Sequence, residues 1–437
     1  MENKKIKWGC IQPLTGGMYL GAEEAIGHPA EWILSYKGLC DIKKNNNGEI
    51  VMAANEFNLI SYLEKHNKMP KYYQITDRKM FDDNIDDLEP NIVLNDIPMQ
   101  PDYSDLDLIV AVPVCSGLSM VTKCSDETRS SRNNNLLWIT NYCLNVIKPK
   151  CYIFENAPTL MGDRGDILRE ILEKYAEDAG YSVLYYKTDT YYHENCQKRP
   201  RTFVIFTKHL TDNKYECPLL FDYVDEHINV KEFFEKIPDG LTLQEPVKSK
   251  PHNYMLVDYV KSLLGDKYKE QIEASLMRYV ENNNLLESFI EFINNSNKYN
   301  KDDKNNAISY IKHILYKRSI GKNYYADDVC SFIGDKFPAV LFRNIPNMLH
   351  PFKDDICSAR DYLTLMGHPF DFELYGDESN LPRIGQNVPV KTAKFIVSQA
   401  VKNLLTNDKI IDNTVNIVFQ DNIVKNSTKI IKPIALF

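Results

Sequence analysis

No run of eighteen apolar residues occurs in this chain, which excludes a membrane-spanning helix of ordinary length. The opening Met1-Glu2-Asn3-Lys4-Lys5-Ile6-Lys7 is basic but lacks the apolar run of a secretory signal, so a cytoplasmic, unsecreted protein is expected. Cysteines paired at metal-ligand spacing are missing too. The ten cysteines are scattered through apolar segments, which predicts no metal site and reads as lone thiols in a reducing compartment. Positive charge is not in excess: the net charge is −8, so any nucleic-acid contact requires basic residues gathered on one face. Nor is there an internal repeat or a long low-complexity tract. What is present is bulk. At 437 residues and 43% hydrophobic content the chain builds a sizeable core, and two domains are favoured over one.

The first two hundred residues alternate strand-like and helix-like segments. Gly16-Gly17 makes a turn into the helical pattern from Leu20 to Ala25. Glu49 to Ala54 reads as a strand ending at Asn55-Glu56, and Asn91 to Leu94 as another ending at Asn95-Asp96. Leu108-Ile109-Val110-Ala111-Val112 is apolar throughout, as a parallel strand buried on both faces would be, and runs into Pro113-Val114-Cys115-Ser116-Gly117. Cys151 to Phe154 delivers Glu155-Asn156, and Gln197-Lys198-Arg199-Pro200-Arg201 leads into Thr202 to Phe206. Helical patterns at 135–145 and 165–179 lie between. This alternation predicts an α/β fold with a doubly wound, mostly parallel sheet. Beyond residue 210 the patterns become amphipathic and helical, over 228–316, with a polar break at 294–306. Residues 298–325 carry seven Lys/Arg against two Asp, with tyrosines interleaved. A solvated helical face and a DNA-contacting module both account for that stretch; composition favours the first. A regular apolar helix is expected from Thr392 to Leu405.

The polar residues at the strand ends point to chemistry, because ligands of open α/β sheets bind beyond the carboxyl ends of the strands. A glycine turn opening a helix brings backbone N–H groups close to a ligand. An acidic residue after the next strand suits ribose hydroxyls, and one after the third suits an exocyclic amine. Gly16, Gly17, Glu56 and Asp96 in that order describe a pocket for an adenosine-containing cofactor. Cys115 is a candidate nucleophile. A thiolate adding to carbon 6 of cytosine converts carbon 5 into an enamine carbon able to attack a methyl sulfonium. Glu155 on nitrogen 3 eases the addition, and Arg201 can hold the charge that builds on the ring oxygen. A base inside a duplex must first be flipped out. The polar stretch after Cys115, with Lys123, Arg129 and Arg132, suits a loop that closes on phosphates.

These residues resemble, in order, the motifs of the C5 cytosine-specific DNA methyltransferases. Pro113-Val114-Cys115-Ser116-Gly117-Leu118-Ser119 resembles the family's Pro-Pro-Cys-Gln-Gly-x-Ser turn. Glu155-Asn156-Ala157 resembles Glu-Asn-Val, and Gln197, Arg199 and Arg201 match Gln-x-Arg-x-Arg. Asn55-Glu56, Asn95-Asp96-Ile97, Arg360-Asp361 with Gly367 to Asp371, and Gly385-Gln386-Asn387-Val388-Pro389 resemble further elements. The chain departs from the family at its opening, where Phe-x-Gly-x-Gly-Gly is replaced by Gln12-Pro13-Leu14-Thr15-Gly16-Gly17. Residues 28–49 look like an insertion.

The resemblance implies a methyltransferase-type sheet at 1–209, a largely helical target-recognition domain at 210–348, and a C-terminal segment, 349–437, returning to the catalytic domain. It implies S-adenosyl-methionine as cofactor, held by Thr15, Gly16, Gly17, Glu56, Asp96, Pro113, Asn387 and Val388. It assigns catalysis to Cys115, Glu155, Arg199 and Arg201, and DNA contact to Gln197, Lys123, Arg129 and Arg132. The expected activity is methylation of carbon 5 of a flipped-out cytosine in double-stranded DNA, with the oligomeric state open and a monomer favoured. A restriction-endonuclease partner or a phage setting is compatible with it. RNA cytosine methylation and a non-catalytic DNA-binding protein are the competing readings.

Overall fold

The structure is a computed structural model and describes residues 5–81, 83–114, 117–118, 133–208, 221–241, 249–272, 275–321, 329, 331, 336–340, 347–376, 378–405, 414–423 and 427–435. Its centre follows from the most apolar segments. Strands β1 (Trp8–Ile11), β2 (Trp32–Tyr36), β5 (Lys71–Ile75), β8 (Leu108–Ala111) and β9 (Cys151–Asn156) form parallel neighbours. Every residue of β1, β8 and β9 is buried, as strands covered on both faces must be. Gly9 in β1 is fixed by packing, since a Cβ there would lie 2.7 Å from the Trp32 ring. Strand β12 (Pro200–Lys208) runs antiparallel between β9 and β10 (Tyr181–Asp189), and β14 (Thr414–Asp421) and β15 (Ser427–Ala435) extend that side. Strands β6 (Ile92–Leu94) and β7 (Ile97–Pro98) finish the other edge. These eleven strands join in one mostly parallel sheet, ordered β15-β14-β10-β12-β9-β8-β1-β2-β5-β6-β7. Trp32, Leu34, Ile109, Trp138, Leu172 and Phe206 belong to the core packed on it.

Two strands differ from the sequence reading. Glu49 to Ala54 does not enter the sheet: β4 (Ile50–Ala53) pairs with β3 (Ile42–Lys44) in a separate two-stranded hairpin. The second sheet strand is β2, inside the segment read as an insertion. Asn91 to Leu94 is not the third parallel strand but a short antiparallel edge, and the third parallel strand is β5.

Helix α1 (Gly17–Ile26) follows β1, and helix α2 (Phe57–Lys65) follows the hairpin. The expected C-terminal helix is present as Val390–Leu405 and lies against α1. The approach is tight: a Cβ on Gly21 would meet the Val390 carbonyl oxygen at 2.5 Å and the Ala393 Cβ at 2.6 Å. Lys394 pairs with Glu24 at 3.3 Å across the same contact.

The chain forms two compact units. The first is Met1–His193, Pro200–Glu226 and Asn387–Phe437; the second is Glu194–Arg199 and His227–Gln386. The boundaries expected at 209 and 348 are therefore displaced, and residues 349–386 lie with the second unit. That unit is largely helical, with helices Pro251–Leu264, Leu276–Asn282, Leu286–Asn295, Lys301–Ser319 and Ala359–Leu365. A capping box between Ser358 and Asp361 starts the last of these. The basic, tyrosine-bearing stretch is mostly the helix Lys301–Ser319, in which Tyr310 stacks on His252 with ring centroids 3.8 Å apart.

Candidate active site

Glu155 and Arg201 are brought together by strand register. Glu155 pairs with Phe203 across the β9–β12 ladder, and Arg201 lies two residues from Phe203, so the two side chains share a face. The Arg201 Nε and Glu155 Oε1 are 2.7 Å apart, with only 15% and 7% of the side chains exposed. A buried ion pair of this kind orients both groups, because neither can turn away without stranding the other's charge. Beside it, Asn156 keeps its Oδ1 on the Ala157 N–H at 2.8 Å.

Cys115 lies outside the described residues, as do Lys123, Arg129 and Arg132. The chain on either side of Cys115 is described, and it is anchored. The Val114 N–H donates to Asn135 Oδ1 at 2.8 Å, and Asn135 is itself buried. The Leu118 carbonyl accepts from the Thr159 hydroxyl at 2.6 Å. Thr159 follows the Glu155-Asn156-Ala157-Pro158 turn directly, so the segment containing Cys115 is tied to the segment containing Glu155. Ala111 pairs with Phe154, which leaves β8 level with the residue before Glu155. Neither Asn135 nor Thr159 is conspicuous in the sequence. Each acts through a backbone group that only the fold brings near it.

A second group gathers at the end of β1. Gln12, Pro13, Leu14, Thr15 and Gly16 form its turn, and Gln12, Leu14 and Gly16 have φ of 52°, 53° and 99°. Two non-glycine residues in the left-handed region within three positions is an uncommon concentration of strain, at about 1 kcal/mol or more each. Glu56 is fully buried beside this turn. Its carboxylate accepts from the Ser35 hydroxyl at 2.6 Å, from the Tyr72 hydroxyl at 2.9 Å and from the Leu14 N–H. Burial pushes its pKa up to about 7, against the pull of those three donors. Ser35 and Tyr72 come from β2 and β5, the two strands missed in the sequence, so these partners were not readable there.

The C-terminal segment closes the group. The Gly17 N–H donates to Asn387 Oδ1 at 2.8 Å, and a Cβ on Gly17 would lie 1.7 Å from the Val388 carbonyl oxygen. Glycine is required there by the close approach of another backbone. Thr15, Gly16, Gly17, Glu56, Asn387 and Val388 thus form one neighbourhood, and Pro113 is buried at the end of β8, the strand beside β1.

Asp96 is not part of this neighbourhood, and Arg199 and Gln197 fall in the second unit. Asp96 sits in the turn of the β6–β7 hairpin, 79% exposed and paired with Lys37 at 2.8 Å. The carboxylate that does follow the third parallel strand is Asp77, whose oxygens accept from the Lys79 and Asn91 N–H groups at 3.2 Å and 2.6 Å. Arg199 belongs to the second unit, is 1% exposed, and donates to the carbonyls of Val340 and Gly385. Gln197, in the two-residue strand β11 (Gln197–Lys198), is fully buried; it accepts from the Val340 N–H at 2.7 Å and donates to the Leu365 carbonyl at 3.0 Å. Both side chains tie backbone segments of the second unit together.

The sequence model of the family described as C-5 cytosine-specific DNA methylase matches residues 46–402. Among solved structures, a prophage-encoded Escherichia coli protein assigned as a DNA modification methyltransferase is 15% identical at a TM-score of 0.50, over 92% of this chain and 99% of its own. The Entamoeba histolytica methyltransferase EhMeth is 10% identical at a TM-score of 0.48, over 93% of this chain and 100% of its own. A DNMT2 mutant from Spodoptera frugiperda is 10% identical at 0.46, over 91% and 99%. No curated protein matches the chain in sequence.

Proposed function

Since the chain belongs to the C-5 cytosine-specific DNA methylase family, we propose that it transfers a methyl group from S-adenosyl-methionine to carbon 5 of a cytosine flipped out of double-stranded DNA. The Glu155–Arg201 pair, stitched through Thr159 to the Cys115 segment, is the observation that carries this reading.

The Cys115 thiolate adds to carbon 6 of the ring while Glu155 holds a proton at nitrogen 3. Arg201, already oriented by Glu155, stabilises the charge on the ring oxygen. Carbon 5 then carries the electron pair that takes the methyl group. A base removes the proton from carbon 5, the carbon–sulfur bond breaks, and the thiolate is restored. When bound, the sulfonium cofactor supplies the methyl group and leaves as a neutral thioether. The neighbourhood at the end of β1 fits a nucleoside-bearing donor: Glu56 offers a buried carboxylate for ribose hydroxyls, and Gln12 keeps a buried amide with no partner among the described residues.

The test is adduct formation. With cofactor present, the protein should become covalently linked to duplex DNA containing 5-fluorocytosine, and Cys115→Ser should not. Adducts with RNA in place of DNA would move the substrate assignment, and none with either nucleic acid would overturn the reading.

A further inference from the structure

Gln12 is fully buried, and neither its Nε2 nor its Oε1 has a hydrogen-bond partner among the described residues. Its backbone is engaged, with the N–H on the Leu34 carbonyl at 3.0 Å, so the orphaned groups are those of the side chain alone. A buried amide with both ends unpaired is destabilising unless something meets it. The same turn is strained at Gln12 and Leu14. Glu56, against the same turn, is satisfied three times over. The Gln12 amide therefore lacks, at both ends and among the described residues, the partners that Glu56 beside the same turn has.

We infer that the Gln12 amide is a specificity-determining contact for the adenine ring of the methyl donor, filling its own hydrogen bonds only when the donor binds. This rests on the reading proposed above. A carboxamide presents a donor and an acceptor side by side, and so does an adenine edge, with its exocyclic amine next to a ring nitrogen. Asp96, the acidic residue expected to meet the exocyclic amine, sits instead in the exposed β6–β7 turn, paired with Lys37. Gln12 stands at the turn that also carries Gly16 and Gly17, adjoining the Glu56 carboxylate suited to ribose, so a nucleoside held by Glu56 brings its base near this turn.

The experiment is calorimetric titration of wild type and Gln12→Met with S-adenosyl-homocysteine, adenosine and purine riboside, the last lacking the exocyclic amine. In wild type, adenosine should bind at least tenfold tighter than purine riboside, and in Gln12→Met the two should bind alike. The ligand-free Gln12→Met protein should melt a few degrees higher than wild type, because an unpaired amide has been removed. Gln12→Glu, which keeps the acceptor for the exocyclic amine and loses the donor to the ring nitrogen, provides a second variant should Gln12→Met misfold; it should bind both nucleosides several-fold more weakly while still preferring adenosine. Equal discrimination in wild type and Gln12→Met, unchanged affinity of Gln12→Glu for both nucleosides, or a lower Tm for the ligand-free Gln12→Met protein overturns the inference while leaving the proposed function standing. Failure of wild type to bind S-adenosyl-homocysteine at all overturns both.

Discussion

At the scale of single residues, the two carboxylates of the candidate site face opposite problems. Glu155 has a cationic partner and is expected to act on substrate. Truncating it to Ala should slow the chemical step by about 10²–10⁴-fold while DNA affinity changes little, which single-turnover kinetics and a binding titration separate. Glu56 has only neutral partners, and burial favours its protonated form. Its folded pKa is raised, so the folded state holds a proton that the unfolded chain has released between pH 4.5 and about 7. Stability therefore falls as pH rises through that window, by ~3 kcal/mol if the full shift applies. Denaturant midpoints measured from pH 4.5 to 8 should show that slope in wild type and a shallower one in Glu56→Gln. Affinity for S-adenosyl-homocysteine should rise over the same range, because two ribose hydroxyls are best met by an ionised acceptor.

At the scale of elements, sequence pattern was informative where a segment is apolar on both faces and silent where it is not. β8, β9 and β12 were legible because burial in the sheet centre demands uninterrupted apolar runs. β5, Lys-Tyr-Tyr-Gln-Ile, opens on a lysine and carries a glutamine, because it lies toward the sheet edge. The hairpin β3–β4 misled for another reason. Ile50–Ala53 has the composition of a sheet strand, but only tertiary pairing decides which sheet a strand joins. Placing it in the main sheet cost the true β2 and with it Ser35; the later misplacement of Asp96 followed from reading β6 for β5. The hairpin nevertheless returns the chain to the end of β1, where Glu56 accepts from the Leu14 N–H. The contact between α1 and the helix Val390–Leu405 gives an element-scale test. Gly21→Ala forces the two backbones apart and should destabilise the protein by about 1–3 kcal/mol. The same change should weaken S-adenosyl-homocysteine binding, since Asn387 precedes that helix and holds Gly17.

At the scale of the molecule, the first unit is discontinuous in sequence. Residues 387–405 complete the surface against α1, so a protein ending at Gln386 should lack a cooperative unfolding transition. Supplying residues 387–437 as a separate chain should restore one, read by calorimetry. Residues 349–386, expected in the returning segment because their motifs resemble catalytic-domain elements in linear order, group with the second unit in the compact division of the chain. Bonds such as those of Gln197 to the Leu365 carbonyl, Arg199 to the Gly385 carbonyl and Lys269 to the Lys353 carbonyl join the segment to the rest of that unit.

That discontinuity also sets an order of events on the ribosome. All strands of the sheet but β14 and β15 emerge early, yet the helix that covers α1 follows only after residues 227–386 have been translated. At ordinary elongation rates that interval is about 10–30 s. Throughout it, α1 presents a naked apolar flank and Gly17 has no Asn387 to receive its amide proton. A half-made polypeptide should therefore depend on a chaperone to shield that flank, and should gain its ability to hold a nucleoside only late in synthesis.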